Sequence, residues 1–356
     1  MLDEIDYRIL TALGKNPLGT INELSKAVKV SPKTLAKRLR KLINNKIFLR
    51  VSAQLSYPTI GLEPVLVFMS ASFRNLGLIE EVCHYHPYTR YRIRCLGAIN
   101  GIIALFAIPE GSLHLLLQLL DDLKDRGIIS SYSYEEPIAR WIYVENDFSY
   151  YDIENDTWNF NWDQWEELVS SSQEGNDLEE YGPSILHKLD KKDMEILAQL
   201  TINAREKLKN IAEKCGVPIY HLSRRMNFYL QNKVIESFRV IVSSRASRVF
   251  DLFIFKCKCS IKVTSKFASA VKKLPFQLTF IPVPDGFVLQ IFLPPSNVSE
   301  LGRILQQYCD DISLIWADYK TSARYFFYPE PFVNGKWIAS REYMVESVLE
   351  KLESKN

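Results

Sequence analysis

Apolar residues recur at helical spacing near the start of the chain, and the pattern returns in its second half. Leu2, Ile5, Ile9, Leu10 and Leu13 mark a helix over 2–13. Thr20, with Glu23 three residues later, opens a short second helix as a capping box. Ser31 and Pro32 supply an N-cap and a first-turn proline for a third helix with the inner stripe Leu35, Leu39, Leu42 and Ile43. After Asn44, Asn45 and Lys46 the pattern turns β-like through Ile47, Phe48, Leu49 and Val51. Three short helices and a β-wing are expected to make residues 1–57 a winged helix-turn-helix.

Period-two and β-former runs then predict strands over 64–73, 90–96, 102–108 and 128–134, the last extended by 141–144, with helices over 76–86 and 112–123. That order, β-α-β-β-α-β, is ferredoxin-like and occupies 58–145. An offset of 187 carries Leu2-Asp3 onto Leu189-Asp190, Ile9-Leu10 onto Ile196-Leu197, Leu35 onto Leu222 and Arg38 onto Arg225. Offsets of 185 and 184 align Asn100-Gly101 with Asp285-Gly286 and Ala139-Arg140-Trp141 with Ala323-Arg324-Tyr325. The fold class expected is α+β, two tandem copies of a winged helix-turn-helix followed by a ferredoxin-like domain. The second copy takes 187–246 and 247–330. An acidic aromatic tail and linker fill 146–186, and a tail with an amphipathic helix fills 331–356. The first tail, with Trp158, Trp162, Trp165 and Leu168, is expected to pack, leaving 170–184 as linker.

Charge sharpens this picture. Lys26 to Arg50 holds nine basic residues and no acidic one, whereas Val144 to His187 holds twelve acidic residues and no Lys or Arg. The net charge of +2 conceals both. No run approaches the ~18 apolar residues of a membrane span, and the acidic N-terminus is unlike a signal peptide. A cytoplasmic, nucleoid-associated protein with no membrane partner is expected. The six cysteines show no zinc-type spacing and are expected to be reduced thiols. Cys83, His84 and His86 cluster, but they read as ordinary packed or surface residues. No Gly-rich phosphate loop, nucleophile elbow or HExxH is present, so no catalytic residue, cofactor or metal is assigned.

LDEIDYRILTALGKN, INELSKAVKVSPKTLAKRLRKLINNKI and the strand opening VLVFMSA resemble the Lrp/AsnC regulators. That resemblance covers 1–143 and, more weakly, 187–328. It implies a transcriptional regulator that reads double-stranded DNA through its helix-turn-helix and associates through its ferredoxin-like sheets. The turn at Leu96 to Gly101 lacks the carboxylates with which family members hold amino acids, and the second copy keeps only Asp285. A small-molecule effector is left open.

On this reading Lys33, Thr34, Lys37 and Arg38 face the major groove, Arg40, Lys41, Lys46 and Arg50 meet phosphates, and Ser31 at the N-cap is counted among the DNA-binding residues. In the second head Tyr220, His221, Arg224, Arg225 and Arg239 are the candidates, with Arg245 and Arg248 in the wing region. The function expected is a sequence-specific regulator acting as an intramolecular pseudo-dimer, and not an enzyme. Two alternatives stand beside it. One is an architectural chromatin protein. The other is a tetrapyrrole enzyme like the sirohaem decarboxylases, which share these modules, with Tyr85-His86-Pro87-Tyr88 and Tyr91 as the loose match.

Overall fold

The computed structural model describes residues 2–172, 178–243 and 251–354. Helices α1 (Glu4–Lys15), α2 (Ile21–Val28) and α3 (Pro32–Asn44) form the first head. Asp3 with Asp6, and Thr20 with Glu23, make reciprocal capping boxes. The Thr34 N–H donates to Ser31 Oγ at 3.1 Å ahead of α3. Strand β1 (Phe48–Leu55) follows. The first ferredoxin-like module comprises β2 (Leu62–Ser70), α4 (Leu76–Tyr85), β3 (Thr89–Gly97), β4 (Gly101–Pro109), α5 (Leu113–Asp125) and β5 (Ser131–Glu135). Its tail carries β6 (Ile142–Val144), a small hairpin of β7 (Tyr151–Asp152) and β8 (Thr157–Trp158), and α6 (Trp162–Ser171).

The second half repeats this order. Its head is α7 (Lys191–Asn203), α8 (Leu208–Cys215), α9 (Ile219–Gln231) and β9 (Ile235–Val242). Its ferredoxin-like module is β10 (Leu252–Lys258), α10 (Ile261–Ala270), β11 (Leu278–Val283), β12 (Gly286–Phe292), α11 (Pro295–Gln306) and β13 (Asp311–Ala317). Strand β14 (Ala323–Arg324) and helix α12 (Ser347–Glu353) complete it. Local detail is repeated as well. Lys46 and Lys233, which close the third helix of each head, both hold positive φ, at 54° and 52°. Gly101 and Gly286 open equivalent strands, where a Cβ would lie 1.9 Å from Met69 O and 2.1 Å from Cys257 O. Only glycine lets the backbones approach so closely.

The connections between halves differ from expectation in two places. The wing strand β1 finds no partner in its own head and pairs antiparallel with β9, Val51 opposite Val240. One strand-forming run per head leaves a ladder to be satisfied, and the other head supplies it. Likewise 142–144 does not extend β5. It crosses to β11, Tyr143 opposite Thr279, while β14 crosses to β3. The sheet path is β5-β2-β4-β3-β13-β10-β12-β11-β6. Leu66, Phe68, Ile93 and Ile103 of the first module pack against Ile254, Ile281, Val288 and Ile315 of the second in one apolar layer. The inner sheet faces are therefore consumed within the chain, and β5 lies at an end of the path.

The tails are exchanged. Trp162, Trp165 and Val169 of α6 pack with Phe267, Phe276 and Leu301 of the second module, and Trp165 Nε1 donates to Ala270 O at 2.9 Å. Met344, Val348 and Leu352 bury into the core of the first module, where Trp337 Nε1 donates to Ile60 O at 2.7 Å. The expected linker is partly built in as well: Ser170 and Ser171 end α6, and Glu179 pairs with Lys233 and Arg140. Residues 173–177 of it lie outside the described residues.

Candidate nucleic-acid interface and a central cationic cavity

Ser31, Lys33, Thr34, Lys37, Arg40, Lys41 and Lys46 are all exposed along α3 and its C-terminal turn. No acidic side chain interrupts this face, because 26–50 holds none. On α9, Tyr220, His221 and Arg224 are exposed, with the Tyr220 and His221 rings 4.7 Å apart.

Four assigned residues lie elsewhere. The Arg38 guanidinium donates to Asp3 and, at 3.0 Å, to the buried Asp6, so it ties α3 to α1 instead of facing outward. Arg225 does the same for Asp193, with Tyr229 Oη donating to that carboxylate at 2.7 Å. Because 38 and 225, like 6 and 193, are 187 apart, this is one structural ion pair present in both heads. Arg239 is buried on the ribbon, paired to Glu145 at 3.1 Å and donating to Thr279 Oγ1 at 3.0 Å. Arg50 points from the ribbon into the interior, its guanidinium 4.9 Å from the Phe326 ring centre. Arg245 and Arg248 lie outside the described residues.

Arg50 leads to a feature that sequence reasoning missed. Between the β1–β9 ribbon and the sheets lies a cavity of about 150 Å³, and an adjoining one of about 440 Å³ opens toward α4 and α12. Arg90 and Arg324 line both; Arg50 and Arg239 line the first. The walls are aromatic, with Tyr57, Tyr91, Trp141, Phe292, Tyr319 and Phe326. Among the described residues no Asp or Glu lines either space.

Arg90 is 5% exposed; its Nη1 donates to Thr89 O at 3.3 Å, and its Nε and Nη2 have no hydrogen-bond partner among the described residues. Its guanidinium lies 5.3 Å from the Phe327 ring, and burial pushes its pKa below the usual arginine range. Arg50 is shifted the same way, by burial and by the charge of Arg324. Beside Arg90, His86 is 2% exposed with Nε2 unpartnered, and burial together with Arg90 lowers its pKa to about 3. It is a neutral imidazole.

The opposite flank is closed. Arg140, which aligns with Arg324 at the offset of 184, is paired to Glu236 at 2.8 Å. A sequence signal existed in the arginines at 90, 92 and 94 of one strand. Arg92 and Arg94 are answered by Glu80, at 2.5 and 2.7 Å; Arg90 is not.

Similarities to known proteins bear on both features. Residues 2–47 match the winged helix-turn-helix DNA-binding family model. The HTH-type transcriptional regulator LrpA of Bacillus subtilis (strain 168) is 33% identical over 91 residues, 26% of this chain; the match spans 61% of LrpA's length. The siroheme decarboxylase NirDL superposes with a TM-score of 0.57 at 12% identity, over 99% of this chain and 100% of that one. Its complex with an iron-uroporphyrin III analogue gives 0.56, also at 12% identity, over 99% of both chains. B. subtilis LrpC, 18% identical, covers 39% of this chain and 96% of its own at a TM-score of 0.34.

At 12% identity the NirDL likeness is one of fold. It nevertheless overturns the expectation that the chain is not an enzyme, since the architecture spanning the whole chain is one on which an enzyme is built. Among the described residues no helix is long and apolar enough to cross a membrane.

Proposed function

We propose that this chain is a two-headed transcriptional regulator of the Lrp/AsnC type, formed from two copies of one unit and binding double-stranded DNA as its own pseudo-dimer. The observation that carries this reading is the exposed, acid-free basic face of α3, on a module that matches DNA-binding winged helix-turn-helices. Ser31, Lys33, Thr34 and Lys37 would meet the major groove, and Arg40, Lys41 and Lys46 the phosphates. Tyr220, His221 and Arg224 would form a weaker second contact. The two heads would thus read unequal half-sites, on the chromosome in the cytoplasm.

The test is fluorescence anisotropy on duplex DNA over a salt series. Replacing Lys33, Lys37, Arg40 and Lys41 by Ala should weaken binding and lower the log–log salt slope by roughly 2–4. Unchanged affinity and slope would sink the assignment.

A second reading is favoured by the acid-free arginine cavity together with the full-length fold likeness to NirDL. In it the chain acts on a carboxylated tetrapyrrole, with Arg50, Arg90 and Arg324 holding carboxylates and the aromatic walls holding the macrocycle. Incubation with iron-uroporphyrin III, followed by mass spectrometry for loss of carboxyl groups, decides it. Product formation establishes an enzyme; an unaltered macrocycle removes this reading.

A further inference from the structure

Several arginines on the sheets and the ribbon are answered by acids, Arg92 and Arg94 by Glu80, Arg140 by Glu236 and Arg239 by Glu145, and the half-buried Arg205 is answered by the Pro17 and Gly19 carbonyls. At the central cavity no ion pair is found for Arg50, Arg90 or the exposed Arg324 among the described residues, and Arg90, 5% exposed, leaves Nε and Nη2 without a hydrogen-bond partner. A buried, unpaired charge is strongly disfavoured unless something else neutralises it. The three guanidinia come from three elements, β1, β3 and β14, so they address anionic groups set apart on one ligand. Planar forks suit carboxylate or phosphate oxygens, and aromatic walls suit a flat conjugated body.

The roof of this cavity has a second role. It is the β1–β9 ribbon, whose two strands run directly from α3 and α9, so whatever binds beneath it touches the element that joins both heads.

We propose that the cavity is a regulatory site: a planar aromatic polyanion held across Arg50, Arg90 and Arg324 changes the affinity of the chain for DNA by fixing the ribbon that carries both heads. This rests on the DNA-binding reading above. A ligand that favours one placement of the ribbon must shift DNA affinity by the same factor that DNA shifts its own.

Two probes separate the anion chemistries, iron-uroporphyrin III for carboxylates and ATP for phosphates. Each is titrated calorimetrically into the full-length protein, and duplex-DNA affinity is then measured with and without saturating probe. One probe should bind, and its saturation should change the DNA dissociation constant at least fivefold, a shift at the lower end of ordinary allosteric coupling. R90M should weaken probe binding at least tenfold and abolish the response; R324Q serves the same purpose if R90M fails to fold. Binding of neither probe overturns the proposal, as does a bound probe that leaves DNA affinity unchanged or a response that survives in both variants. If the wild type binds no DNA even without probe, the regulator reading fails and the regulatory proposal falls with it. The calorimetric titration would then stand on its own as the measure of the anion site.

Discussion

Arg90 and His86 share one buried corner, and each has a measurable consequence for stability. Taking a guanidinium out of water without a counter-charge opposes folding, and an apolar residue of similar length removes that opposition. Arg90→Met should therefore stabilise the ligand-free protein by about 1–3 kcal/mol, a gain at the expense of function. Urea unfolding measures it; a loss of stability would mean that Arg90 acts as a packing residue. His86 opposes acid. Facing Tyr88, Phe106 and Arg90, it stays neutral in the folded state down to about pH 3, whereas in the unfolded chain it takes a proton near its ordinary value of about 6.5. Between those values the unfolded state binds the extra proton, so stability falls as pH falls, by about 1.4 kcal/mol per unit, and is unaffected above about pH 6.5. Relative to His86→Phe, the wild type should lose about 3 kcal/mol between pH 7 and 4.5. Parallel pH profiles for the two proteins would contradict the neutral buried imidazole.

At the scale of elements, α3 separates into residues that hold the head together and residues free to meet a partner. Leu35, Leu39 and Leu42 are buried, as their spacing indicates. Arg38 looked like part of the basic face because periodicity gives the angle of a residue around its helix and not what packs there. Asp6, on a helix 32 residues away in sequence, claims it. Arg38→Ala would strand a 1%-exposed carboxylate and should cost about 3 kcal/mol, with Arg225→Ala doing the same to Asp193 in the second head. Lys37→Ala should leave the melting temperature within about a degree, since exposed lysines contribute little to stability, and should act on DNA affinity instead. Thermal melts beside binding curves separate the two roles; equal melting losses for Lys37→Ala and Arg38→Ala would refute the division. The strand β1 shows the same limit of sequence reading. Val51, Ala53 and Leu55 alternate along it and are buried. Arg50, expected at DNA phosphates, instead lines the central cavity with Ser52 and Gln54, because a distant sheet lies beneath the ribbon. Helices, strands and their order were legible from period and caps. Which half each strand and tail would join was not, because two modules of the same topology offer equivalent partners and local pattern cannot choose between them.

That choice, the exchange between halves, governs the whole molecule. The contacts that cross it include the β1–β9 ribbon, the paired sheets with β6 and β14 reaching to the opposite module, and the two tails docked on each other's partners. Each half would therefore expose alone what it buries in the full chain. The first would uncover the faces of α4 and α5 that receive Met344, Val348 and Leu352, and the inner sheet face with Leu66, Phe68 and Ile103. A patch of that kind promotes aggregation. Covalent continuity should matter much less once the chain has folded, because the contacts that hold the halves together do not run through the connection. A specific protease site placed between Ser172 and Leu178 tests this. After cleavage of the folded protein, the two fragments should co-elute at the size of the intact chain and keep its DNA affinity. Residues 1–172 expressed alone should be recovered largely as aggregate and be rescued by co-expression with 178–356. If each half is instead soluble, monomeric and unaffected by the other, the exchanged tails and the shared ribbon contribute little. The two heads would then be independent modules on a tether, with no fixed spacing to impose on their half-sites.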